Sequence, residues 1–150
     1  MLVPDAHTSL PAAAPYEYEA RLAALPPLTG DAKADFAAQR RAIEAVHRSG
    51  ASGRTVVRLQ SAATDRIVAL LWERAVAEAA KAHAPSPVSL VALGGYGRRE
   101  LAPHSDLDLL VLHGARAPDA FVKAASEKLL YALWDLKVEV GYGVRDLRAC

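Results

Sequence analysis

The spacing of hydrophobic and polar residues changes several times along the chain, and each change marks an expected structural element. Apolar residues recur at helical intervals in three segments, residues 31–49, 54–83 and 118–136. Shorter apolar runs between turn residues predict three strands, at residues 88–93, 107–112 and 137–144. Strands joined first by a loop and then by a helical crossover indicate an α/β (α+β) fold, a small mixed sheet with helices packed against it.

Residues 1–30 lack this periodicity. They hold five of the nine prolines, at positions 4, 11, 15, 26 and 27. Because proline and small residues interrupt regular structure, this segment is expected to be an irregular tail. Residues 31–150 are expected to form two helices followed by a core. Since the chain stops directly after the last predicted strand, we interpret that core as truncated on its C-terminal side.

A glycine-rich turn separates the first two predicted strands, and the second strand begins with two aspartates. Gly94 and Gly95 follow the first apolar run, and Asp106 and Asp108 flank Leu107 at the start of the second. Because side chains alternate between the faces of a strand, both carboxylates are expected on one face, beside the turn. The aspartate pair alone is also typical of the solvated end of a half-exposed strand, but the combination with the glycines indicates phosphate and metal chemistry.

Two carboxylates this close together need a positive partner. At about 5 Å their repulsion amounts to roughly 3 kcal/mol for an effective dielectric near 20. Hard divalent cations prefer oxygen ligands, and Mg²⁺ characteristically joins one or two carboxylates to substrate phosphates. Glycine has no Cβ atom, so the N–H groups of Gly94 and Gly95 can approach a phosphate closely. We therefore expect Asp106 and Asp108 to bind Mg²⁺ or Mn²⁺ beside a phosphate-binding turn.

Three polar residues near the turn have two interpretations each. Arg98 and Arg99 could bind phosphate, whereas one of them could instead be a surface charge or pair with Glu100. Ser105 directly precedes Asp106 and could donate a hydrogen bond to phosphate or stabilise the turn. The residue spacing leaves both interpretations open for each of them.

The residues from the glycine turn to the second strand resemble a known signature. The run Gly94-Gly-Tyr-Gly-Arg-Arg-Glu-Leu-Ala-Pro-His-Ser-Asp-Leu-Asp-Leu-Leu-Val-Leu112 is similar to that of the bacterial PII uridylyltransferase/uridylyl-removing enzymes, a branch of the DNA polymerase β-like nucleotidyltransferases. A glycine pair followed by Asp-apolar-Asp is the superfamily minimum, whereas the Tyr-Gly-Arg and Glu-Leu segments are narrower features of this branch. Residues 133–145, with Leu-Trp-Asp and Glu-Val-Gly, resemble the same branch.

The resemblance implies transfer of UMP from UTP to a tyrosine hydroxyl of a PII nitrogen-regulatory protein, with release of pyrophosphate. It also implies that Asp106 and Asp108 hold the metals and that a third carboxylate follows on a later strand. Glu139, which lies between two valines, has the expected neighbours, and its other interpretation is an outward charge or a partner for Lys137. Gly141 stands where related adenylyltransferases carry an aspartate, so the identity of the third carboxylate stays open.

Three alternatives accompany this reading. The first two are enzymes that perform the same nucleotidyl transfer but attach AMP to another protein. They are the minimal nucleotidyltransferases of toxin–antitoxin pairs and the glutamine synthetase adenylyltransferases. The two N-terminal helices and the Glu-Leu-Ala-Pro spacing disfavour the minimal type, and Gly141 disfavours the synthetase type. The third alternative is a truncated, non-catalytic nucleotide-binding fragment, because bifunctional members of the branch carry a further hydrolytic domain with a His-Asp metal motif and small-molecule-sensing domains. This chain contains no adjacent His-Asp pair.

Composition excludes several other classes of protein. Lys and Arg number 18 against 17 Asp and Glu, so no excess of positive charge indicates nucleic-acid binding. The lone cysteine, Cys150, excludes an internal disulfide and a cysteine-based metal cluster. No apolar run reaches the length of a membrane-spanning helix, and the N-terminus lacks an export signal. We therefore expect a cytoplasmic protein that binds neither nucleic acid nor a membrane.

Overall fold

The computed structural model describes residues 15–148, which form five helices and three strands. The helices are α1 (Pro15–Ala23), α2 (Ala32–Arg48), α3 (Gly53–Ala79), the single turn α4 (Gly94–Gly97) and α5 (Asp119–Asp135). The strands are β1 (Val88–Ala92), β2 (Leu107–His113) and β3 (Val140–Asp146). Within the described residues, no helix has both the length and the apolar character needed to cross a membrane. The predicted α/β fold, a small mixed sheet with packed helices, is confirmed.

Strand β2 lies at the centre of the sheet. It pairs with β1 in the antiparallel direction and with β3 in the parallel direction. Antiparallel neighbours can be joined by a loop, here the segment that contains α4, whereas a parallel neighbour requires a crossover, which α5 supplies. Backbone partners on both sides therefore fix β2, and its side chains alternate between two faces of the sheet.

One face of β2 contributes to the hydrophobic core, and the other carries an aspartate. Leu107 and Leu109 are each 3 % exposed and pack with Ile67 of α3 and Leu133 of α5. Burying a leucine side chain stabilises a fold by about 1.5–3 kcal/mol. Asp108, which lies between the two leucines, is exposed on the opposite face. The packing of α3 and α5 on one side thus leaves Asp108 accessible on the other.

Helix α2 begins as predicted, and α3 ends earlier than predicted. The carboxylate of Asp31 accepts hydrogen bonds from the N–H groups of Lys33 and Ala34, each at 3.0 Å, which is the geometry of an N-cap. The prediction extended α3 to residue 83, but the helix ends at Ala79, its last buried residue. Pro85 lies close beyond this point, and a proline disfavours helical backbone in the residue before it.

The prediction of an irregular tail over residues 1–30 is wrong for α1. Pro15 occupies the first helical position, where a missing N–H costs no intrahelical hydrogen bond. Tyr18 and Leu22 pack against a buried cluster formed with α2 and α3, and the guanidinium of Arg58 lies 4.1 Å from the centroid of the Tyr18 ring. Tertiary packing therefore stabilises a helix too short to be stable alone. Residues 1–14 of the predicted tail lie outside the described residues.

Strand β3 begins at Val140, three residues later than the predicted start at Lys137. Helix α5 ends in a Schellman motif, in which the N–H groups of Lys137 and Val138 donate to carbonyls of the last helical turn at 2.8 and 3.1 Å. Lys137 takes the left-handed backbone conformation that this motif needs, with a φ of 58°. Because these residues complete the helix end, Glu139 precedes β3 instead of lying within it.

Replacing Lys137 with glycine should stabilise the protein. A left-handed conformation costs a residue with a Cβ atom about 1–2 kcal/mol, which the entropy of an unfolded glycine offsets by about 0.5–1 kcal/mol. We expect the free energy of unfolding of Lys137→Gly to exceed that of Lys137→Ala by about 0.5–1 kcal/mol, measured by urea denaturation. Both variants remove the same charge, so equal stabilities would contradict the left-handed helix end.

Candidate active site

The glycine turn forms α4, which follows β1 and lies beside the start of β2. After β1 ends, the N–H of Leu93 donates to the carbonyl of Asp108 at 2.8 Å, which extends the β1–β2 pairing by one residue. The chain then turns through α4, where the N–H of Gly97 donates to the carbonyl of Leu93 at 2.7 Å. These bonds hold the turn against the strand residue that carries the second aspartate.

The carboxylate of Asp108 lies against the backbone of Gly94. Gly94 has a φ of 56°, and a Cβ atom added there would lie 2.5 Å from Asp108 Oδ2. Any other residue would meet both the strain of the left-handed conformation and the carboxylate. The left-handed backbone and the nearby Asp108 carboxylate therefore both favour glycine at position 94, whether or not a ligand is bound.

Gly141 of β3 lies on the other side of the same carboxylate. It is the register partner of Asp108 in the parallel β2–β3 pair, and a Cβ atom added there would lie 2.7 Å from Asp108 Oδ1. We call Gly94 and Gly141 the glycine cradle of Asp108. In the sequence, Gly141 is distinguished only by standing where related adenylyltransferases carry an aspartate, because the strand register that gives it this contact is not visible there.

Asp106 and Glu139 directly precede β2 and β3, and both are exposed. The N–H of Leu107 donates to the carbonyl of Glu139 at 2.8 Å, so the parallel pairing extends by one residue and sets Glu139 beside Asp106. Alternation along the strand puts Asp106 on the same face as Asp108. No group of three or more His, Cys, Asp or Glu residues within residues 15–148 is arranged to hold a metal ion. A role for Glu139 as the third carboxylate therefore stays a prediction.

Both arginines of the turn are on the surface. Arg98 Nε lies 3.2 Å from Glu100 Oε2, and the two side chains are 68 % and 64 % exposed. Of the two interpretations given for the arginines, pairing with Glu100 is therefore the one observed for Arg98. An exposed pair of this kind contributes only about 0–1 kcal/mol, so Arg98 could exchange its partner for a phosphate at little cost. Arg99 is exposed and has a left-handed backbone, with a φ of 61°.

Ser105 is exposed and contributes to a turn through its backbone. Its N–H donates to the carbonyl of Ala102 at 3.2 Å. A cavity of about 200 Å³ is lined by Ser105, Glu139 and residues of α2 and α3. The structure thus brings these two predicted site residues to one cavity, which neither Asp106 nor Asp108 lines.

The chemistry of this face suits a hard divalent cation. Asp106 and Asp108 present carboxylate oxygens on one exposed face, and Mg²⁺ needs only one or two protein carboxylates when phosphates and waters complete its coordination. Beside them, the first N–H groups of α4 have no intrahelical partners. A glycine turn after the first strand, followed by paired aspartates on the central strand of a small mixed sheet, defines a protein of the nucleotidyltransferase class.

Comparison with known proteins identifies the family. The family described as "Putative nucleotidyltransferase DUF294" matches residues 37–143, and the chain belongs to it. The matched span includes every predicted site residue from Gly94 to Glu139. No solved structure was found to match the chain.

Several curated relatives share the name bifunctional uridylyltransferase/uridylyl-removing enzyme. The one from Bordetella avium is 53% identical over 66 residues, which cover 44% of this chain and 8% of the relative. The one from Caulobacter vibrioides is 40% identical over 106 residues, 68% of this chain and 11% of the relative. The one from Burkholderia thailandensis is 34% identical over 130 residues, 85% of this chain and 14% of the relative. The chain thus spans only 8% to 14% of the length of these relatives.

Replacing Gly141 with alanine should disturb the site and spare the fold. The new Cβ atom would meet Asp108 Oδ1, and because that carboxylate can rotate away, the free energy of unfolding should change by less than about 1 kcal/mol. Displacing the carboxylate should weaken Mg²⁺-dependent binding of UTP about 10-fold or more, measured by isothermal titration calorimetry.

Gly143→Ala is the matched control for this variant. Gly143 lies on the same strand and face, and a Cβ atom there would make an ordinary 3.5 Å contact with Leu110 Cδ1. It should bind UTP as the unmodified protein does. Unchanged binding by Gly141→Ala would show that the cradle does not determine the function of Asp108.

Proposed function

We propose that this protein transfers UMP from UTP to a tyrosine hydroxyl of a PII-type signalling protein and releases pyrophosphate, with Mg²⁺ or Mn²⁺ as cofactor. The observation that carries the proposal is the exposed carboxylate of Asp108 on β2, which lies against its glycine cradle, two residues after Asp106. Uridylyl transfer is supported by the names of the relatives. The PII target is supported by the segments Tyr-Gly-Arg (residues 96–98) and Glu-Leu (residues 100–101), which resemble the signature of the bacterial PII uridylyltransferases.

Asp106 and Asp108 are the residues that would hold the metal. When bound there, a divalent ion supplies neutralising charge to the triphosphate and polarises the α-phosphoryl group. Gly94 and Gly141 leave room for the Asp108 carboxylate on the exposed face of β2, because a Cβ atom at either position would collide with one of its oxygens. The carboxylate is therefore accessible to a metal ion. Asp106, directly before β2, is also exposed.

The transfer forms one bond to phosphorus and breaks another. The tyrosine oxygen attacks the α-phosphorus of UTP, and the bond from that phosphorus to the oxygen bridging to the β-phosphate breaks. Pyrophosphate leaves with the electron pair of the broken bond. The phenolic proton passes to a carboxylate of the site, and Glu139 is our candidate because the β2–β3 pairing sets it beside Asp106.

The triphosphate would bind along the glycine turn. The N–H groups of Gly94 and Gly95 lie in the first turn of α4 and have no intrahelical partners. Arg98 and Arg99 are exposed cations of that turn and the residue after it, and Ser105, which is exposed and directly precedes Asp106, would add a hydroxyl. Donors and charges fixed in advance around developing negative charge lower the barrier to phosphoryl transfer.

The proposal covers transfer of the uridylyl group and not its removal. The relatives are named for both activities, but the chain matches 8% to 14% of their length. It also contains no adjacent His-Asp pair of the kind expected for the hydrolytic metal site. Only the first of the two activities is therefore proposed for these residues.

Replacing either aspartate with asparagine should abolish transfer. Loss of residues that merely support metal ligands typically costs 10–100-fold in activity, so loss of a ligand should cost at least about 100-fold. The measurement is incorporation of labelled UMP into a purified PII protein, with circular dichroism to establish that the fold persists. Asp119→Asn, which removes a carboxylate from the first turn of α5, is the matched control. Transfer that survives both Asp106→Asn and Asp108→Asn would refute the assigned site.

Nucleotide preference separates uridylyl from adenylyl transfer. We expect UTP to bind more tightly than ATP or CTP in the presence of Mg²⁺, as measured by isothermal titration calorimetry. A preference for ATP would make the protein an adenylyltransferase acting on another target. Binding of none of the three nucleotides would contradict a nucleotidyltransferase function for this chain.

A further inference from the structure

Two residues of the glycine-turn signature have no chemical role in the proposed transfer. Tyr96 and Leu101 are 5 % and 3 % exposed, and both belong to the core cluster that contains residues of α3. Neither side chain reaches the surface that carries Asp106 and Asp108. Their contacts instead connect the turn to α3.

Ser61 of α3 binds the end of the turn. It is 1 % exposed, and its hydroxyl oxygen accepts a hydrogen bond from the N–H of Leu101 at 3.1 Å. The same hydroxyl donates to the carbonyl of Val57 at 2.8 Å, one helical turn earlier. The donor and the acceptor of Ser61 are therefore both in use, and a backbone group 40 residues away is fixed to the helix.

Asp65 lies one turn further along α3, and its side chain lines one cavity with Tyr96, at the beginning of the turn. Burial, together with the nearby carboxylate of Asp65, raises the pKa of Tyr96 well above its ordinary value. Tyr96 therefore keeps its proton and remains a donor throughout the physiological pH range.

The contact of Ser61 with Leu101 and that of Asp65 with Tyr96 lie at the two ends of the segment that carries the arginines. Residues four apart lie on the same face of a helix, so Ser61 and Asp65 together present one surface to the turn. Within the turn, the N–H of Glu100 donates to the carbonyl of Gly95 at 2.9 Å. A displacement of the segment from Tyr96 to Leu101 would therefore be transmitted to the backbone of the glycines.

We propose that Ser61 and Asp65 are positioning residues, which hold the glycine turn at the distance from β2 that places Gly94 against Asp108. They would act through Tyr96 and Leu101 and touch neither substrate nor metal. This inference rests on the proposed nucleotidyl transfer for its effect on activity. The contacts between α3 and the glycine turn do not themselves depend on that function.

The decisive variants are Ser61→Ala, Tyr96→Phe and Asp65→Ala. Ser61→Ala removes the hydrogen bonds of Ser61 with Leu101 and Val57. Tyr96→Phe and Asp65→Ala each remove the contact between the Tyr96 hydroxyl and the Asp65 carboxylate, and all three variants leave Asp106 and Asp108 in place. Because a misplacement of about 1 Å in an active site can cost about 100-fold in rate, we expect kcat for UMP transfer to fall about 10- to 100-fold. Asp65→Asn keeps an oxygen that can accept from Tyr96 and should recover most of the loss caused by Asp65→Ala.

Ser126→Ala is the control for a purely structural effect. Ser126 of α5 is 5 % exposed and donates to the carbonyl of Val122 at 2.8 Å, as Ser61 does to Val57, but it binds no residue of the turn. It should lower the melting temperature less than Ser61→Ala, which also leaves the buried N–H of Leu101 without a partner, and should leave kcat and KM unchanged well below that temperature. If Ser61→Ala and Tyr96→Phe behave like this control, the positioning role is wrong.

Hydrogen exchange tests the attachment without substrate. In Ser61→Ala and Tyr96→Phe, amides of residues 94–101 should exchange at least about 10-fold faster, whereas those of β1 should be unchanged. Unchanged exchange in the turn would overturn the inference even if transfer is observed. Faster exchange in a protein that transfers no nucleotide would instead refute the proposed function and leave the attachment in place.

Discussion

The parallel pairing of β3 with β2 is the constraint on which the site depends. It sets Gly141 beside Asp108, while the antiparallel pairing of β1 brings Gly94 to the other oxygen of the same carboxylate. Backbone hydrogen bonds thus place two glycines against the carboxylate of Asp108, and the absence of a side chain at both positions leaves room for it. The carboxylate lies on an exposed face, so it keeps its hydration and its access to a ligand.

Helix α3 connects the hydrophobic core to that face. Ile67 and Leu71 pack beneath the sheet, and Ser61 and Asp65 of the same helix bind the turn that carries Gly94. The turn is therefore fixed to the most extensively buried helix of the described chain instead of resting on loop contacts alone. In the mechanism proposed here, this rigidity matters because phosphoryl transfer depends on donors that are already in place before the charge develops.

The success of the sequence-based predictions followed the strength of the local pattern. Helices α2 and α5 and strands β1 and β2 agree with their predicted bounds to within one residue at each end, because each has a clear apolar periodicity. Helix α1 was missed, since its stability comes from packing of Tyr18 and Leu22 on distant residues. The start of β3 was misplaced because Lys137 adopts a left-handed conformation where glycine is the usual choice.

The sequence by itself determined the class of chemistry, because Gly94, Gly95, Asp106 and Asp108 lie within one short segment whose spacing has few other uses. The tertiary structure alone decided which groups surround that segment. Gly141 reaches Asp108 through strand register, and Ser61 and Asp65 reach the turn through helix packing. These contacts join residues of separate elements, 31 to 40 positions apart. No local pattern encodes them, because they depend on how a complete set of apolar surfaces packs together.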